Sequence, residues 1–160
     1  MRRKGIGAFS PIPKGGRATT EMANKHILVV EDREPLLSLL RTVLEEEQYA
    51  VSAYREGHVA LREIVANPPD LVILDLRLTD MSGRDILETL RDHGDGGAIA
   101  HVPVIVATAA ALEADTLSQV IARNPARYAN VSVLQKPFEL DDLLLRVRQA
   151  LGEPEGNQAD

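Results

Sequence analysis

Short apolar runs alternate along this chain with longer stretches that carry apolar residues at helical spacing. His26-Ile-Leu-Val-Val30, Leu71-Val-Ile-Leu74 and Val131-Ser-Val-Leu-Gln135 are too short for helices. They read as strands buried on both faces. Tyr49–Tyr54 alternates loosely and predicts a second strand, and His101-Val-Pro-Val-Ile-Val-Ala107 predicts the fourth, with Pro103 near its start. Between them, Arg33–Gln48 places Leu36, Leu40, Val43 and Leu44 at helical spacing behind Pro35, a residue tolerated in a first turn. Helical spacing returns at Val59, Leu61, Ile64 and Val65, where Asn67-Pro68-Pro69 stops it, and at Ile86, Leu87 and Leu90, ending near Gly94. A helix over Leu112–Arg123 and a last one bearing Leu140, Leu143, Leu144, Val147 and Leu151 complete the series. Strict alternation of strand and helix predicts an α/β, doubly wound parallel sheet of five strands, with five helices on its two faces.

In such a sheet, ligands gather beyond the carboxyl ends of the strands. Three strands here end in charge: Glu31-Asp32, Asp75 and Lys136. Three carboxylates and one ammonium at one edge suit a hard cation and a phosphoryl group. Taken singly, a strand-end Asp is usually a turn or cap residue, and a Lys-Pro is usually a turn. Their conjunction is what points to chemistry.

Composition narrows the classes. The 160 residues are 44% hydrophobic, enough for one core, and contain no cysteine. That excludes a disulfide, a zinc-thiolate site or a thiol nucleophile. No apolar stretch approaches the roughly 20 residues of a membrane span, and the start lacks the apolar core of a secretory signal. A cytoplasmic location with no membrane partner is therefore expected. The net charge is −6, yet residues 1–21 hold five basic residues against Glu21 alone. Residues 1–24 read as a disordered basic extension, an inert tail or one that precedes a true start at Met22. They have no interleaved aromatics to suggest a nucleic-acid arm. Residues 25–152 form the domain, and 153–160 a disordered polar tail with no second domain expected. His26, His58, His93 and His101 lack metal spacing, and no glycine-rich nucleotide fingerprint occurs.

Four segments together carry a resemblance: Ile27-Leu-Val-Val-Glu-Asp32, Asp70-Leu-Val-Ile-Leu-Asp-Leu-Arg-Leu-Thr-Asp-Met-Ser-Gly83, Val104-Ile-Val-Ala-Thr-Ala109 and Leu134-Gln-Lys-Pro-Phe138. Residues 26–151 resemble the receiver domain of two-component response regulators, which have a flavodoxin-like fold. The resemblance implies strand order 2-1-3-4-5. It implies that Asp75 accepts a phosphoryl group, helped by Thr108 and Lys136, and that Pro137 follows a cis bond. It also implies Mg²⁺, with Asp32 and Asp75 as direct ligands, Glu31 acting through water and the backbone carbonyl of Arg77 completing the protein's share.

The expected protein is thus a stand-alone regulator rather than a turnover enzyme. Its expected partners are a sensor histidine kinase or histidine phosphotransfer protein and a downstream protein, with no direct DNA binding. Its output would be a phosphorylation-dependent surface. A receiver-fold docking module that ignores phosphate is the rival. A metal-dependent phosphohydrolase would want a second Asp where Arg77 stands. The chain departs from the pattern at Thr79, where a proline is usual, and at Val133, where a switch aromatic is usual. Its Thr108–Lys136 stretch is also longer than usual. The sequence leaves open whether Tyr128 takes the aromatic's place.

Overall fold

A computed structural model describes residues 25–93 and 96–154. The expectations of a disordered 1–24 and of most of a disordered 153–160 lie outside the described residues. The elements are β1 (His26–Val30), α1 (Glu34–Glu46), β2 (Ala50–Tyr54), α2 (Gly57–Ala66), β3 (Leu71–Leu74) and α3 (Gly83–Arg91). They continue with α4 (Ala98–His101), β4 (Val104–Thr108), α5 (Ala111–Arg123), β5 (Val131–Gln135) and α6 (Leu140–Ala150). All strand pairs are parallel, in the order β2-β1-β3-β4-β5. This is the doubly wound, flavodoxin-like arrangement.

Because side chains alternate across a strand, each apolar run feeds two cores. Leu28, Val30, Val72, Leu74, Val104 and Val106 face α2, α3 and α5, meeting Ile64, Ile86, Leu87, Leu90 and Leu117. Ile27, Val29, Leu71, Ile73, Ile105 and Ala107 face α1 and α6, meeting Leu37, Leu40, Leu44, Leu143 and Val147. A central strand buried on both sides has no polar position to spare until it ends, which is why the charges appear only there.

The structure corrects the sequence reading in several places. There are six helices among the described residues, not five, because His101 belongs to the short α4. The fourth strand starts at Val104 rather than His101. Pro103 has no N–H for a ladder, and the Val102 carbonyl is taken by the buried Arg91 side chain, whose Nη2 donates to it at 2.8 Å. Val65 is 40% exposed, so the core face of α2 runs through Gly57, Ala60 and Ile64 instead. Tyr49 precedes β2 and is buried, its hydroxyl donating to Glu153 at 2.8 Å. That contact draws Glu153, assigned to the tail from sequence, onto the domain.

Tyr128 is buried in the turn before β5, at the end of the sheet opposite Lys136. Its hydroxyl donates to Glu88 of α3 at 2.7 Å, and Arg127 reaches both Glu88 at 2.6 Å and Asp92 at 2.8 Å. This network anchors the long α5–β5 connection to α3. It also removes Tyr128 as a substitute for the missing aromatic, since it lies before β5, at the end away from Lys136.

The loop from β3 to α3 is held just as firmly. Asp80 accepts from the backbone N–H groups of Gly57 and His58 at 2.8 and 2.9 Å, satisfying orphan donors at the start of α2. Those bonds keep its carboxyl well below the usual carboxylate range. Gly83 packs so close to the chain that a Cβ there would stand 2.0 Å from the Asp75 carbonyl oxygen. At Gly57 a Cβ would meet the Met81 Cγ at 2.6 Å, a flexible side chain.

Two outcomes are expected. Gly83→Ala should destabilise the fold by about 1–3 kcal/mol or more, since backbone must move, and Gly57→Ala by less; urea unfolding of both variants checks the order. The second concerns Glu88. Burial alone would raise its pKa, but Arg127, Tyr128 and Arg84 outweigh burial and lower it from 4.5. A folded-state pKa below the unfolded one gives stability that is present above pH 4.5 and lost as pH falls through the folded value. Glu88→Gln should therefore flatten the acid limb of melting temperature against pH, measured from neutrality downward.

Candidate functional site

The β1–β3 register pairs Val30 with Leu74, so the residues that follow, Glu31 and Asp75, emerge side by side. The Asp75 N–H still donates to the Val30 carbonyl at 3.1 Å, and the Lys136 N–H donates to the Thr108 carbonyl at 2.8 Å. The ladders thus run one residue past the strands and fix the functional residues by backbone bonds. Asp32, one position further, is half-buried while Glu31 is buried.

Lys136 is the centre of the arrangement. Its ammonium lies 2.7 Å from Glu31 Oε1 and 3.1 Å from Asp75 Oδ2, with all three side chains at least nine-tenths buried. The Lys136–Pro137 peptide is cis. Glu31 also accepts from the Arg33 N–H at 3.2 Å, and Asp75 Oδ1 accepts from the Arg77 N–H at 3.1 Å. Burial pushes the Glu31 carboxyl above the ordinary range; the Lys136 hydrogen bond and charge oppose this, and Asp75 adds to it.

A cavity of about 310 Å³ opens above these groups, lined by Asp32, Arg33, Asp75, Arg77, Thr108, Ala109, Ala110 and Lys136. Glu31 lies behind it. Thr108 is buried, and its hydroxyl oxygen accepts from the Ala110 N–H at 3.2 Å. An accepting hydroxyl keeps its own hydrogen to donate. Ala109 leaves the space beside it open.

One carboxylate oxygen each from Glu31, Asp32 and Asp75 falls within 4.8 Å of the others. An all-oxygen donor set at a half-open cavity that admits water suits Mg²⁺, which keeps several waters beside one or two carboxylates. Asp32 and Asp75 line the cavity and would hold it, with Glu31 further back. The histidines stay apart: His26 bonds Ser52 at 2.7 Å and His58 bonds Asp80 at 2.8 Å.

The structure therefore brings Glu31, Asp32, Asp75, Thr108 and Lys136 together, as their strand-end positions predict. Sequence reasoning missed Asp80 and Gly83, which set the loop after Asp75. It also missed Glu113, whose carboxylate pairs with the Arg77 guanidinium across the cavity mouth. An Asp in a loop and a Glu in a first helical turn are ordinary in sequence. Their partners lie 22 and 36 residues away, and no local spacing reveals them.

Comparison with known proteins bears on the family and the fold. The family described as the response regulator receiver domain matches residues 27–148. Response regulator ArlR of Staphylococcus saprophyticus is 31% identical over 135 residues, covering 84% of this chain and 56% of that protein. Transcriptional regulatory protein KdpE of Mycobacterium tuberculosis is 39% identical over 125 residues, covering 78% of this chain and 50% of that protein. A CheY-like receiver domain protein from Methanospirillum hungatei superposes with a TM-score of 0.65 at 28% identity, covering 80% of this chain and 94% of that one. The non-phosphorylated HemR receiver domain from Leptospira biflexa gives 0.62 at 28% identity, covering 83% and 98%.

The chain spans about half the length of the curated relatives it matches. The expectations of a stand-alone regulator and of no DNA contact gain no support from longer relatives, one of them named a transcriptional regulatory protein. No described helix is long and apolar enough to cross a membrane. With the sheet order, the strand-end charges and a family match from β1 into α6, this chain belongs to the response regulator receiver domains of two-component systems.

Proposed function

We propose that this domain accepts a phosphoryl group on Asp75 from a histidine kinase or histidine phosphotransfer protein in the cytoplasm. It would then signal through a surface whose shape depends on that group. The supporting observation is the Asp75 carboxylate itself. It is buried on one side against Lys136 and opens on the other into a cavity shared with Asp32 and Thr108. In the transfer, an Asp75 oxygen bonds to phosphorus as the donor's P–N bond breaks, and the electron pair leaves with the imidazole nitrogen.

Bound Mg²⁺ would supply the positive charge that lets an anionic nucleophile and an anionic phosphoryl group approach. Asp32 would orient the loaded site from β1. Lys136 would keep its contact with Glu31 while its ammonium turns from Asp75 to a phosphoryl oxygen, a charge-assisted bond. Thr108 would donate its hydroxyl hydrogen to another oxygen. Asp75 is consumed and regenerated, so the chain behaves as an acceptor rather than a turnover enzyme.

Acetyl phosphate with Mg²⁺ should add one acid-labile phosphate to the wild type by intact mass, and none to Asp75→Asn. Asp32→Ala should lose both the adduct and the Mg²⁺ response in NMR spectra while its melting temperature stays within a few degrees of wild type. An equal adduct on Asp75→Asn would displace the assignment. No adduct on the wild type, with either acetyl phosphate or a phosphorylated kinase, would favour the phosphate-independent docking module, a reading that Val133 encourages.

A further inference from the structure

Arg77 follows Asp75 by two residues and lines the same cavity, yet its guanidinium is held elsewhere. Its Nε and Nη2 each lie 3.2 Å from an oxygen of Glu113, in the first turn of α5. The two side chains are 70% and 46% exposed. A forked pair of this kind has good geometry, but water screens it, so a stronger partner can displace it. Beneath the pair runs a groove of about 620 Å³ floored by Leu76, Leu78 and Leu117. The ion pair bridges the β3–α3 loop to the first turn of α5 above the apolar contacts of Leu76, Leu78 and Leu117.

A phosphoryl group on Asp75 would bring about −1.5 to −2 charges to this cavity. Lys136 is already shared between Glu31 and Asp75. The other cations of the lining are Arg33 and Arg77. Arg33 stands on the α1 side, where it also borders a groove with Leu36, Leu39 and Phe138. Of these cations, only Arg77 has a carboxylate partner on α5 among the described residues.

We propose that the Arg77 guanidinium is a second cationic contact for the phosphoryl group on Asp75, and that Glu113 is its partner before the group arrives. The proposal rests on the reading of Asp75 as acceptor. Loading the site exchanges the Arg77–Glu113 pair for an Arg77–phosphoryl pair and releases the first turn of α5, where Leu112 stands 79% exposed. State then passes to α5 without an aromatic at Val133.

Beryllofluoride, a tetrahedral phosphoryl mimic, tests this when its binding to the full chain is titrated by NMR at fixed Mg²⁺. Arg77→Gln should weaken binding about three- to tenfold, the loss of one charge-assisted contact. Glu113→Gln should tighten it about two- to fivefold, because Arg77 no longer leaves a partner. In the Arg77→Gln background, Glu113→Gln should have no effect, the non-additivity of two residues acting on one contact. Arg33→Gln should shift affinity less than about twofold, as a screened charge does. Hydrogen exchange in the first turn of α5 should be faster in Glu113→Gln alone, as in the wild type with the mimic.

Equal weakening by Arg33→Gln and Arg77→Gln would reveal general attraction and overturn the proposal. So would shifts of the same sign in Arg77→Gln and Glu113→Gln, the result of a merely structural brace. Wild-type binding that Asp75→Asn abolishes but Arg77→Gln leaves intact would overturn this proposal and spare the acceptor reading. No binding by the wild type, or full binding by Asp75→Asn, would overturn both.

Discussion

A lysine ammonium held between two buried carboxylates is the contact on which the rest of this site depends. Lys136, Glu31 and Asp75 come from three strands, β5, β1 and β3, and none of them is next to either of the others in sequence. Taking such charges from water is expensive, and removing one partner leaves the others uncompensated. The triad is therefore tolerable only when the strand registers deliver all three groups to one spot. Asp75 gains a cation beside it but also a carboxylate neighbour, which makes it a poor place to leave unbalanced and a good place to bring a metal and a phosphoryl group.

Around that triad the structure spends its rigidity unevenly. The loop after Asp75 is pinned by Asp80 on the start of α2 and by the close approach of Gly83 to the Asp75 carbonyl. At the far end, Glu88, Arg127 and Tyr128 tie the α5–β5 connection to α3. Between these anchored regions, the exposed Arg77–Glu113 pair joins the loop to the first turn of α5 above an open groove. Motion follows the weakest contacts, and segments with few buried groups open first. The architecture thus holds the strand-end charges firmly and the first turn of α5 more loosely.

Val133 and Tyr128 differ from the strand-end charges in that neither lies beside the cavity with room to move. Val133 packs against the core shared with α2, α3 and α5, where a small side chain leaves nothing to rotate. Tyr128 is committed to Glu88 at the opposite end of the sheet. With neither able to act as a moving aromatic, the Arg77–Glu113 pair is the link we propose from Asp75 to α5, beside the short Thr108–Ala110 connection.

The sequence by itself determined the fold class, the layering and the strand-end site. A strand buried on both faces must be continuously apolar, so a charge can enter only at its end, and parallel strands put all such ends on one edge. Glu31, Asp32, Asp75 and Lys136 were legible for that reason, and Thr108 through the resemblance its segment carries. Only the tertiary structure decided the late start of β4, the place of Tyr128, the clamp made by Asp80 and the pairing of Arg77 with Glu113. Each depends on which side chain from a distant element arrives within hydrogen-bond reach, and local periodicity carries no record of that distance. Arg91 is the plainest case. A charged residue on a helix reads as solvated, yet folding buries it and its guanidinium takes the Val102 carbonyl.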